Sequence, residues 1–177
     1  EEVERAKKEL EDRIREWEED SKRLKDELKR IIKEWEDESR RVKEELRKII
    51  DDLRKAVEKG ISEETLRKIE REIEEILRKI EKKDRDILKR VEEIIEEIER
   101  RDRKILRELE KVLDELKKAG IDERILEEAR RLVRRVHESS KRVLDDARRK
   151  LKELHERSKR VLDDVRRKLK KVADDTR

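Results

Sequence analysis

The chain has 177 residues, 62% of them charged, with a net charge of only +4 and no Pro, Cys, Met, Phe or Tyr. Without cysteine there is no disulfide framework, thiol nucleophile or zinc-thiolate site, and no apolar run exceeds two or three residues, so neither a signal peptide nor a membrane span is expected and the chain should be soluble. High charge alone would fit disorder or an isolated charged helix, but both lack a continuous apolar stripe, and this chain carries one.

From Val3 the apolar or small positions run Ala6, Leu10, Ile14, Trp17, Ser21, Leu24, Leu28, Ile32, Trp35, Ser39, Val42, Leu46, Ile50, Leu53 and Val57. The mean step is about 3.6 residues, the period of a straight α-helix rather than of a 3.5-residue heptad seam. This predicts a first helix over about residues 2–59. Gly60 can take the left-handed conformation after a helix end, and Ser62 can accept from the free N–H groups of the next helix, so a tight turn is expected between them.

The second stripe runs Leu66, Ile69, Ile73, Leu77, Ile80, Asp84, Ile87, Val91, Ile95, Ile98, Asp102, Ile105, Leu109, Leu113 and Leu116, placing two carboxylates on the buried line of a helix over about 62–119. Gly120 and Asp122 repeat the chemistry of the first turn. The third stripe, within a helix over about 122–175, runs Ile125, Ala129, Leu132, Val136, Ser140, Val143, Ala147, Leu151, Leu154, Ser158, Val161, Val165, Leu169 and Val172, with His137 and His155 flanking it.

Short turns make neighbouring helices antiparallel. Doubled core positions, Ile31 with Ile32, Ile49 with Ile50, Ile76 with Leu77 and Ile94 with Ile95, widen each stripe enough to face two partners. The expected fold is all-α: one up-down-up three-helix bundle over residues 1–177, a rod about 85 Å long at about 1.5 Å per residue. It should be a monomer requiring no partner, although a domain-swapped dimer or a designed oligomer would bury the same stripes.

One period governs the chain. Ser140-Lys-Arg-Val-Leu-Asp-Asp-Ala-Arg-Arg-Lys-Leu-Lys152 returns eighteen residues later as Ser158 to Lys170 with a single change, Ala147 to Val165. Trp17 and Trp35, Ser21 and Ser39, Asp84 and Asp102, and His137 and His155 obey the same offset. Eighteen residues are five full helical turns, so every side chain returns to the same bearing.

Counting outward from Gly60 and Gly120, position i of the first helix lies level with 120 minus i and 120 plus i on the others. Trp17, Ser21, Asp102, His137 and Ser140 then gather in one layer, and Trp35, Ser39, Asp84, His155 and Ser158 in a second, about 27 Å away. A buried hydroxyl, carboxylate or imidazole costs several kcal/mol unless paired, and a closed Trp, His, Asp and Ser network would meet that demand. Its use would be register, because sliding a helix by a turn strands these groups against Leu and Ile.

Ser140 with His137, and Ser158 with His155, also have the residue types of a hydrolytic triad with Asp102 or Asp84. The setting opposes it: mid-helix N–H groups are already bonded and no loop approaches to build an oxyanion hole. Each layer offers one His and one Asp, too few for a metal. No enzyme activity, metal or cofactor is expected. By segment, residues 1–59 sum to −2, 61–119 to −1 and 121–177 to +7, yet Asp145, Asp146, Asp163 and Asp164 interrupt the basic third and no Tyr or Phe can stack on bases, so no nucleic-acid partner is expected.

These features together resemble a de novo designed, parametrically generated, untwisted three-helix bundle carrying buried hydrogen-bond networks. The resemblance rests on the Gly-Ile-Ser/Asp-Glu loops, the Leu/Ile/Val core, the Glu/Lys/Arg surface, the five-turn repeats and the copied polar layers. It implies a hyperstable scaffold or assembly building block without substrate or natural compartment, made in the cytoplasm of an expression host. Spectrin-type repeats, similar in having a Trp early in the first helix, are the natural alternative; their helices are about half as long and lack the eighteen-residue identity. A further alternative is a bundle whose buried histidines respond to pH, with a sign left open because Asp102 and Asp84 would stabilise imidazolium.

Overall fold

The structure, a computed structural model, describes the backbone of residues 2–176 and the side chains of residues 4–175. The first stripe position, Val3, lies outside the described side chains. The described residues form three helices, α1 (Glu2–Lys59), α2 (Glu63–Lys118) and α3 (Glu123–Thr176), with no strand among them. Charged residues between the apolar steps keep the rest of each helix in water, and no described helix is long and apolar enough to cross a membrane.

The helix ends follow from a few residues. Gly60 and Gly120 have φ of +90° and +82°, a conformation that a side chain would strain. After α2 the Gly120 N–H donates to the Lys117 carbonyl at 3.1 Å and the Ile121 N–H to the Leu116 carbonyl at 3.3 Å, the paired bonds of a Schellman ending, with Ile121 and Leu116 both buried beside it. At the start of α2, Ser62 Oγ accepts from the Thr65 N–H at 3.2 Å; at the start of α3, Asp122 Oδ1 accepts from the Arg124 N–H at 3.2 Å.

The residues fall into two compact units, each taking a segment of all three helices. The first comprises the chain up to Arg30 together with Val91–Arg149; Leu10, Ile14 and Trp17 of α1, Leu109, Leu113 and Leu116 of α2, and Leu126, Val133 and Val136 of α3 form its core. The second comprises Ile31–Arg90 and the chain from Lys150; Leu46, Ile50 and Leu53 pack there with Leu66, Ile73 and Leu77 and with Leu162, Val165 and Leu169. Each core is largely aliphatic and shared by three helices.

The third stripe needs correction. Leu132 is 36% exposed while its neighbour Val133 is buried, and Leu126, Leu144 and Leu162 take core positions beside the half-buried Ile125, Val143 and Val161. Adjacent helix residues differ by about 100° of bearing, so where two apolar residues stand side by side, either completes a 3.6-residue pattern. Contact with the other two helices decides between them. The doubling of Ile76 with Leu77 resolves the same way, leaving Ile76 40% exposed.

Candidate functional site

Each unit carries one buried polar cluster, built on an aspartate of α2. In the first unit the Trp17 Nε1–H of α1 donates to Asp102 Oδ1 at 2.8 Å, and the Ser140 hydroxyl of α3 donates to Asp102 Oδ2. The carboxylate is 5% exposed and Ser140 fully buried, so each oxygen of one acceptor group serves one neighbouring helix. In the second unit Trp35 Nε1–H donates to Asp84 Oδ1 at 3.0 Å and Ser158 donates to Asp84 Oδ2. Here Asp84 is 8% exposed and Ser158 only half-buried.

The expected four-member network is therefore a three-member one. His137 and His155 are half-buried at the stripe edge, and the Nδ1 of each is buried without a hydrogen-bond partner among the described residues. The reason is geometric. A residue three positions before the serine sits about 60° away around the helix, which turns its ring toward the stripe edge while the serine faces the aspartate. Ser21 is buried and Ser39 half-buried one turn beyond their tryptophans, but no hydrogen bond joins either to its aspartate.

The order of bonds differs from the hydrolytic arrangement considered from sequence. The serine hydroxyl donates directly to the aspartate, with no imidazole between them to take its proton. His155, Asp84 and Arg85 line a cavity of about 310 Å³ in the second unit. No group of three or more metal-ligating side chains occurs among the described residues.

Charges around the clusters follow the same offset. Arg148 of α3 pairs with Glu99 of α2 in the first unit, and Arg166 pairs with Glu81 in the second. The step is plus eighteen on α3 and minus eighteen on α2. Arg166 also meets Glu74 at 3.2 Å; its hydrogen bond to Glu81 is the leading reason its guanidinium is held above the ordinary value, with burial acting against it. Lys25 lies near Asp102: burial pushes its ammonium below the usual lysine value, Asp102 opposes that, and Lys29 adds to it. Sequence reasoning missed these pairs, although applying the eighteen-residue offset to Arg and Glu as well as to the rare residues shows that Arg148 and Arg166 are equivalent, as are Glu99 and Glu81.

No family model matches the chain, and no curated protein matches it. Among solved structures, one described as a "Computationally designed three helix bundle" is similar, with 16% sequence identity and a TM-score of 0.46 over 99% of this chain and 87% of that one.

Proposed function

We propose that the chain is a designed structural scaffold, one antiparallel up-down-up bundle of untwisted helices without a natural biochemical activity, whose two polar clusters fix helix register. The observation that carries this reading is the recurrence of one Trp–Asp–Ser bond set, with the same donor and acceptor atoms, one eighteen-residue step along every helix. Antiparallel order is supported within the first unit by Arg13 meeting Glu108 while Trp17 meets Asp102, so that rising numbers on α1 pair with falling numbers on α2. Slipping a helix by one turn would leave the tryptophan N–H and the serine hydroxyl against aliphatic side chains, at about 1–3 kcal/mol for each stranded group. Nothing in either cluster presents an activated nucleophile, which supports a structural role over a catalytic one.

The reading is tested by unfolding Trp17→Phe and Trp35→Phe separately, so that the remaining tryptophan reports one unit at a time. The expected result is a monomer of 21.9 kDa by sedimentation equilibrium, with both probes unfolding together at a guanidinium midpoint above about 5 M, the range of hyperstable proteins. A dimer mass, two separate transitions, or a midpoint typical of ordinary domains would reject it.

A further inference from the structure

The second unit carries a groove of about 500 Å³ between its three helices, within the usual size range of small-molecule sites. Val42 of α1, Ile76 and Ile80 of α2, and Leu154 and Val161 of α3 supply its apolar walls, with Ser39 beside them. Ile76 is 40% exposed here, a large aliphatic side chain left partly in solvent.

The rim is charged, and unevenly paired. Lys83 is engaged by Glu38, and Arg40 by Glu36 at 3.6 Å and Asp37 at 3.3 Å. Lys43, Arg157 and Arg160 also line the groove and have no ion-pair partner among the described residues. After its carboxylates are taken up, the groove presents aliphatic walls under three free cations.

We propose that this groove binds amphipathic anions, an alkyl chain lying along Ile76, Ile80 and Val161 with its carboxylate held by Lys43, Arg157 or Arg160. The apolar part gains by leaving water, and a carboxylate matches the forked donors of arginine. A neutral chain satisfies only the walls; a short anion satisfies only the rim. The first unit provides an internal contrast. Its groove beside Ser21 has the same volume, about 500 Å³, but runs between α1 and α3 without the α2 aliphatic wall, and Lys22, Lys25 and Lys29 line it together with Leu132.

The test is calorimetric titration of the intact chain with sodium decanoate below its micellar concentration, alongside decan-1-ol and butanoate. A saturable one-to-one isotherm for decanoate is expected. Ile76→Glu, and separately Arg157→Glu with Arg160→Glu, should each weaken it about tenfold or more, while Leu132→Glu in the other unit leaves it unchanged. All these positions are exposed, and an unaltered helical circular dichroism spectrum establishes that each variant is folded. Decan-1-ol and butanoate should bind at least several-fold more weakly. Absence of saturable decanoate binding overturns the proposal, as does indifference to Ile76→Glu. Equal binding of the neutral chain or of the short anion also overturns it, because either would show that walls and rim do not act together.

Discussion

The two polar clusters use the same residues in the same roles but are enclosed to different degrees. Around Asp102 the partners are enclosed: Ser140 has no exposed surface, and Ile98 of α2 is 1% exposed. Around Asp84 the packing is looser, with Ser158, Ser39 and Ile80 half-buried and lining the groove. The equivalent positions are nearly identical in sequence. One difference is Leu24 in the first unit against Val42, eighteen residues on, in the second, a shorter side chain where the groove opens. Bond partners follow from the repeat, whereas enclosure depends on single methylenes at its border.

That contrast is broken most directly by removing each carboxylate. Asp102→Ala leaves the Trp17 N–H and the Ser140 hydroxyl buried without an acceptor, for an expected loss of about 3 kcal/mol, since each stranded group costs about 1–3. Asp84→Ala should cost less, about 1–2 kcal/mol, because the half-exposed Ser158 can turn to water. Guanidinium unfolding of the two variants measures both, and equal losses would mean that enclosure does not matter. Replacing the whole first cluster, Trp17→Phe with Asp102→Leu and Ser140→Ala, should recover most of the deficit, because apolar residues of similar volume leave no donor stranded.

The helices were legible in the sequence because charged residues separate the apolar ones at a strict 3.6-residue step, leaving no competing period. The aspartates could be placed level with the tryptophans by counting from the two glycines, since a straight helix converts number into height. Bearing was harder. His137 and Ser140 differ by only about 60°, too little for composition to decide which turns inward, and the answer depended on the bearing of α3 toward the aspartate. Leu132 against Val133 was undecidable for the same kind of reason. Both residues are apolar, and only the surfaces of the other two helices select one. The groove was invisible because it depends on the volumes that three helices leave between them, and a pattern of residue types does not record volume.

A smaller change sharpens the comparison from the packing side. Val42→Leu would give the second unit the side chain of the first, adding one methylene over Ile80. The expected gain is at most about 0.8 kcal/mol, the value of one buried methylene, together with weaker decanoate binding as the groove fills. The reverse change, Leu24→Val, should lose a similar amount and expose the first cluster. Unfolding midpoints and decanoate titrations of the pair would show whether this one position sets the difference; no change in either variant would place its origin elsewhere.

The smallest effect expected is electrostatic and belongs to the closed cluster. Burial lowers the Lys25 ammonium in the folded chain, against the attraction of Asp102, so folded protein releases this proton at a lower pH than unfolded protein does. Below both values the lysine is charged in either state and the full cost of burying it is present. As pH rises through the folded value, the unfolded state holds the extra proton, and stability increases until the unfolded lysine also titrates. Wild type should therefore gain stability relative to Lys25→Gln between neutral pH and about pH 10.5, read as the difference between their guanidinium midpoints across that range. In an Asp102→Asn background the opposing attraction is gone, the ammonium is lowered further, and the rise should begin at a lower pH. A rise that begins at the same pH in both backgrounds would mean that Asp102 and Lys25 do not interact, leaving the closed carboxylate with only its tryptophan and its serine.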